Sequence, residues 1–118
     1  MAYKIAVASS DGKVINEHFG KATKFLIFNI DEDRYEFSEV LEASPFCSNG
    51  DHNEEKLLLA TEKLSGCRAV LITQIGYVAV KSLESRGIEV FEIKTLIEDA
   101  LNKIILYYLK VDGGIKYD

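Results

Sequence analysis

The chain predicts a single α/β domain built on a five-stranded mixed sheet with three flanking helices. Three observations carry that expectation. Strand-type sequence fills the first third of the chain, helix-type spacing alternates with apolar runs over the rest, and 118 residues at 47% hydrophobic content suit one ordinary core.

Tyr3 to Ala8 reads as a first strand, with Ile5 and Val7 on one face and the small Ala6 and Ala8 on the other. Both faces look covered, which predicts a central position. Ser9 to Thr23 is a long, polar connection punctuated by glycine, with a short extended piece at Val14-Ile15. Connections of that length inside a compact domain are uncommon unless they serve a function. Lys24 to Ile30 forms a second strand, Asp31-Glu32-Asp33 a turn and Arg34 to Leu41 a third strand, giving a hairpin.

Glu54 to Leu64 has helical spacing at Leu57, Ala60 and Leu64, a start signal in Asp51 and Glu54, and a stop in Ser65-Gly66. Arg68 to Thr73 is almost wholly apolar, as a buried parallel strand should be. Tyr77 to Arg86 makes a short helix stopped by Gly87, and Ile88 to Ile93 a fifth strand. Thr95 with Glu98 reads as a capping box for a third helix that continues through Ile97, Leu101, Ile104 and Tyr108 to about Leu109. Residues 1–109 are thus expected to form one domain and 110–118 a tail.

The hairpins make the second strand antiparallel to the first and the third parallel to it. Right-handed helical crossovers then lay the fourth and fifth strands parallel to the first, predicting the order 3-2-1-4-5, which matches a ribonuclease-H-like sheet. Connections leaving strands 1, 3, 4 and 5 should therefore share one rim: Ser9 to Thr23, Glu42 to Asn53, Gln74-Ile75-Gly76 and Lys94-Thr95. Ligands in open α/β sheets favour such a rim. Both histidines, His18 and His52, and one of the two cysteines, Cys47, are expected on it.

Imidazole and thiolate together suit iron, zinc, copper or an iron-sulfur cluster and suit magnesium or calcium poorly. Cys47 and His52 also precede the first helix, whose N-terminal dipole favours an anion and lowers a nearby thiol's pKa. The spacing Cys47-x4-His52 is not a structural zinc spacing, and three ligands on loops leave an open site. Plain roles remain open beside these: His18 bonding backbone, His52 helping to cap its helix, Cys47 as an idle thiol. Cys67, directly before an apolar strand, reads as a small core residue.

The formal charge of −5 argues against nucleic acid, whose binders cluster Lys and Arg against phosphate. No apolar run approaches a membrane span and Met1-Ala2-Tyr3-Lys4 lacks the form of a signal peptide, so no membrane partner and a cytoplasmic location are expected, with both cysteines reduced. A two-metal nuclease needs carboxylates on the first and fourth strands, which here offer Ala6, Val7, Ala8 and Ser9, and Ile72, Thr73 and Gln74. No glycine-rich nucleotide motif occurs. A Cys47/His52 nucleophile-base pair lacks an orienting third group.

The segments Ile5-Ala-Val-Ala-Ser-Ser-Asp-Gly12, Val14-Ile-Asn-Glu-His-Phe-Gly20, Phe25-Leu-Ile-Phe28, Cys47 to His52, Ala69-Val-Leu-Ile72 with Ile75-Gly76, and Gly87-Ile-Glu-Val-Phe91 together resemble the nitrogenase iron-molybdenum cofactor biosynthesis family. That family is seen in NifX, in the core of NafY and at the C-terminus of many NifB proteins. The resemblance implies a ribonuclease-H-like fold and a non-catalytic role in nitrogen fixation. The expected cargo is the iron-molybdenum cofactor or an iron-sulfur precursor, carried to apo-dinitrogenase or other nitrogenase assembly proteins. Carried over by motif, His18 is the leading metal ligand and Cys47 and His52 follow, with Asn16 and Glu17 as further cofactor-binding residues of the same loop. The second loop departs from the more glycine-rich Cys-Gly-Gly-x-His of relatives, and no triple-cysteine motif of a radical-SAM domain is present. A general iron or zinc module and a protein-interaction domain unrelated to nitrogen fixation are the competing readings.

Overall fold

A computed structural model describes residues 2–43, 47–48, 51–52 and 54–113, with 47–48 and 51–52 described through their backbone. The chain runs β1 (Ala2–Ala8), a 3-10 turn (Phe19–Lys21), β2 (Lys24–Asp31), β3 (Arg34–Glu42), the two-residue strands β4 (Cys47–Ser48) and β5 (Asp51–His52), α1 (Glu54–Lys63), β6 (Cys67–Ile72), α2 (Tyr77–Glu84), β7 (Glu89–Glu92) and α3 (Ile97–Asp112). The five longer strands form one sheet in the order β3-β2-β1-β6-β7. β2 is antiparallel to β1 and β3, while β6 and β7 run parallel to β1. The predicted order 3-2-1-4-5 is observed, with β6 and β7 as its fourth and fifth strands.

The alternation in β1 divides the core into two layers. Ala6 and Ala8 face a cluster completed by Leu57, Ala60 and Leu64 at α1 and by Ala79 and Leu83 of α2. Ile5 and Val7 face the other, filled by Ile97, Leu101, Ile104 and Tyr108 of α3. Alanine on the first face lets two helices approach the sheet closely. Bulkier residues on the second fill the space above a single helix. Among the described residues no helix is long and apolar enough to cross a membrane.

Three local expectations are corrected. The capping box at Thr95 and Glu98 is not formed, because Leu96 is the N-cap of α3 and no side chain caps it. The connection after β1 supplies the partner instead: the Ile97 amide donates to the Lys13 carbonyl at 2.8 Å and the Ile15 amide donates to the Thr95 carbonyl at 3.0 Å. Asp51 lies in β5 opposite Ser48, ahead of the first turn of α1, and residue 53 next to that turn is outside the described residues. α3 continues to Asp112, three residues into the expected tail, where Arg68 holds the Asp112 carboxylate through two contacts of 2.6 and 2.7 Å. Residues 114–118 of that tail are also outside the described residues.

The edge opposite the loops is closed by this same arginine. Its guanidinium stacks 3.7 Å from the centroid of Tyr108 and 4.9 Å from that of Tyr3. The Tyr108 hydroxyl donates to Glu89 at 2.7 Å, and burial followed by that carboxylate pushes the phenol pKa up. The result fastens the end of α3 to the starts of β1, β6 and β7.

Candidate functional site

The connection from Ser9 to Thr23 begins as a hydrogen-bonded knot. Ser9, fully buried, donates its hydroxyl to Asp11 at 3.2 Å and accepts the Gly12 amide at 3.0 Å. The same Asp11 oxygen accepts the Lys13 and Val14 amides at 2.8 and 3.1 Å, which holds its carboxyl below the ordinary carboxylate range. Gly12 has φ 78°, a left-handed conformation that a side chain would strain. Asn16 then clasps Ser10 with both ends of its amide, accepting the Ser10 amide and donating to the Ser10 hydroxyl, each at 3.0 Å.

Beyond the knot the chain crosses the end of the sheet from one layer to the other. Ile15 is buried in the α3 layer, whereas Phe19 and Ala22 are buried in the α1/α2 layer, with the Phe19 ring 5.6 Å from that of Phe25. Burying side chains of this kind contributes roughly 2 kcal/mol each, so both ends of the crossing are anchored. Residues 16–18 span the crest between the anchors.

The crest is strapped to the residues that follow β6. The Glu17 carbonyl accepts the Thr73 amide at 3.1 Å and the Thr73 hydroxyl at 2.9 Å, and the Phe19 amide donates to the Gln74 carbonyl at 2.9 Å. Between these bonds His18 forms a parallel bridge with Gln74 while its own side chain remains exposed. Its carbonyl accepts the Lys21 amide at 3.0 Å, closing the 3-10 turn. A histidine exposed between two pinned neighbours has a fixed backbone and a free ring, the combination an outward-facing ligand needs.

The second polar segment arrives beside the first. β4 and β5 pair antiparallel with Cys47 opposite His52 and Ser48 opposite Asp51. The Ala43 amide donates to the Thr23 carbonyl at 2.8 Å just ahead of this ladder, and β4 comes within 8 Å, Cα to Cα, of the turn that follows His18. Cys47 and His52 therefore sit as backbone neighbours on the same rim as His18 and Gln74. The side chains of Cys47 and His52, and the residues 44–46 and 49–50 around them, lie outside the described residues. Among the described residues no group of three or more His, Cys, Asp or Glu side chains is arranged to hold a metal ion.

Two features of the rim were not foreseen. The first turn of α1 carries Glu54 and Glu55, which use that helix's dipole and disfavour an anion there. The start of α2 differs, since it has no acidic residue in its first turn and its N-cap Gly76, two residues from Gln74, offers no side chain. Of the two helix ends, only that of α2 lacks an acidic residue in its own first turn. Glu92 also reaches the rim, accepting the Ile75 amide at 3.0 Å. Thr73 and Gln74 carry no motif of their own, and only strand topology would have brought them to the histidine loop.

Cys67 is placed away from all of this. It opens β6 at the opposite end of the strand, 8% exposed within the α1/α2 layer, and burial pushes its thiol pKa up. A span of seven residues in extended chain puts it roughly 20 Å from Gln74.

Residues 1–106 match the family model described as dinitrogenase iron-molybdenum cofactor. The chain is similar to the FeMo cofactor biosynthesis protein NifB of Chlorobaculum tepidum, at 37% identity over 97 residues, 82% of this chain and 22% of that protein. It is also similar to protein NifX of Azotobacter vinelandii, at 34% identity over 86 residues, 73% of this chain and 53% of that protein. The chain thus spans about a fifth of the NifB relative and about half of NifX. The crystal structure of PH0822 superposes with a TM-score of 0.67 at 26% identity, covering 88% of this chain and 89% of that one. A Methanocaldococcus jannaschii structure with a TM-score of 0.59 at 17% identity, covering 91% of each chain, shares the fold. With the family model matched from the first residue to the middle of α3, and both loops within its span, the chain belongs to the dinitrogenase iron-molybdenum cofactor family.

Proposed function

We propose that this chain is a non-catalytic carrier. On this reading it binds the iron-molybdenum cofactor, or an iron-sulfur precursor of it, as cargo at the His18 rim of a ribonuclease-H-like scaffold and passes it to apo-dinitrogenase or another nitrogenase assembly protein. The observation that carries the reading is the crest at His18, whose backbone is tied on both sides while its imidazole is exposed beside the Cys47–His52 ladder. Imidazole and thiolate are the donors that iron clusters accept, and few ligands on an open rim hold a cluster without caging it. His18, Cys47 and His52 are the ligands on this reading. Glu17 and Asn16 act through the backbone and the Ser10 clasp to hold the loop.

An anionic cluster must be accommodated by a chain of formal charge −5. The first turn of α2 beside Gln74 carries no acidic residue, but the Glu92 carboxylate sits on the Ile75 amide just ahead of it, so local compensation falls chiefly to Lys13, Lys21 and Lys24 around the first loop. Relatives named for FeMo cofactor biosynthesis support the choice of cargo.

The test is anaerobic incubation of the chain with isolated iron-molybdenum cofactor, followed by gel filtration and measurement of iron and molybdenum. The carrier reading expects both metals to co-elute with the protein in the cofactor's own ratio. Retention of free ferrous iron or zinc with no retention of cofactor would replace it with a general metal-binding module, and retention of neither would leave an interaction domain.

A further inference from the structure

The peptide that leads into His18 is braced by a residue more than fifty positions away in the chain. We propose that Thr73, through its hydroxyl, is a positioning residue for His18, a role that rests on the carrier reading for its consequence but not for its geometry. Thr73 is half-buried directly after β6, and its amide and hydroxyl both donate to one acceptor, the carbonyl of Glu17, at 3.1 and 2.9 Å. That carbonyl belongs to the peptide that leads into His18, so the pair of donors fixes the plane of the peptide from which the imidazole departs. On the far side of His18, the next peptide is fixed by the Phe19 amide on the Gln74 carbonyl at 2.9 Å and by the buried Phe19 ring.

The two sides are not equivalent. The Phe19 side is held by a backbone bond and a core side chain. On the Glu17 side the flanking residue is only half-buried and Asn16 is exposed, its side-chain amide turned to Ser10 and its backbone amide donating to the Ala8 carbonyl at a longer 3.3 Å. A single amide bond leaves a peptide free to rock about it, whereas a second donor at a different angle removes that freedom. The hydroxyl therefore selects the direction in which the His18 side chain leaves the rim. A ligand held in one direction loses less conformational entropy on binding, which is how pre-organisation raises affinity.

The test compares Thr73→Val, which keeps the β-branch and the amide donor but removes the hydroxyl, with Thr73→Ser, which keeps the hydroxyl and removes the methyl. On the unloaded chain, the His18 amide and Cα–Cβ signals are read by NMR and the Phe19 amide exchange serves as an internal reference. Thr73→Val should broaden the His18 signals by conformational exchange while the Phe19 amide exchanges as before and the melting temperature stays within about 5 °C. Uptake of isolated iron-molybdenum cofactor should weaken roughly tenfold, the factor a lost neutral hydrogen bond supports. Thr73→Ser should restore both readouts. Unchanged His18 signals in folded Thr73→Val, or a Thr73→Ser chain that behaves like Thr73→Val, overturn the positioning role. If the valine variant does not fold, Thr73→Ser alone decides, since loss of His18 backbone order with the hydroxyl retained also overturns it. A wild-type chain that takes up no cofactor sinks the carrier reading, while the His18 backbone signals still decide the role of Thr73.

Discussion

At the scale of single residues, the rim is ordered by small polar side chains that bond backbone rather than by its prospective ligands. Asp11 is the clearest case, with one oxygen gathering the Lys13 and Val14 amides. Its carboxyl is depressed when folded, so its contribution is complete above the ordinary carboxylate pKa of about 3.9 and is lost as pH falls through the lowered folded value. Protection of the Lys13 and Val14 amides against exchange, taken relative to their intrinsic rates, should thus fall below about pH 4 in the wild type and be reduced already at neutral pH in Asp11→Ala, with the sheet amides unaffected. Sheet protection collapsing together with these two amides would show that the knot is part of the global fold. Cys67 tests the opposite end of the molecule. Cys67→Ala removes one buried sulfur from the α1/α2 layer and should cost roughly 1 kcal/mol in urea denaturation without altering cofactor uptake. A folded Cys67→Ala chain that binds nothing would mean that the wrong thiol has been placed at the site.

At the scale of elements, the crossing segment between β1 and β2 depends on its buried ends. Phe19 is 1% exposed and packs on Phe25, so Phe19→Ala should cost roughly 3 kcal/mol or more and release the 3-10 turn from the sheet. Equilibrium unfolding in urea checks the first effect and Phe19 amide exchange the second. A stability loss under 1 kcal/mol would show that the crest is held by its hydrogen bonds alone. The long elements were legible beforehand because their apolar positions repeat: period two in β1, and helical spacing at Ile97, Leu101, Ile104 and Tyr108. The two-residue strands β4 and β5 were not, since four residues carry no period. The Thr95 box failed for a different reason: its sequence is correct for a cap, but Lys13, eighty-odd positions away in the chain, already supplies the carbonyl that meets the Ile97 amide.

At the scale of the whole molecule, strand order decides where chemistry can occur. Parallel β1, β6 and β7 send their following segments to the same edge, and there the Ile93 amide donates to the Ile72 carbonyl, Val14 bridges Leu96 and His18 bridges Gln74. The shared rim was readable from the sequence because handed crossovers and hairpins leave few topologies. The roles of Thr73 and Gln74 were not readable, as they arise from contacts between segments more than fifty residues apart. The same topology separates the rim from the Arg68, Tyr108 and Asp112 cluster at the other edge, so a change at His18 leaves the fastening of the C-terminal end of α3 intact.

The central claim is that the exposed imidazole at the crest holds the cargo. The most direct measurement is an anaerobic titration of isolated iron-molybdenum cofactor into wild-type and His18→Ala chains, with molybdenum retention read after gel filtration. Because the ring is exposed and outside both core layers, His18→Ala should melt within about 2 °C of the wild type, and it should bind cofactor at least about tenfold more weakly. Equal retention by the two proteins would contradict the account and move the site to Cys47 and His52.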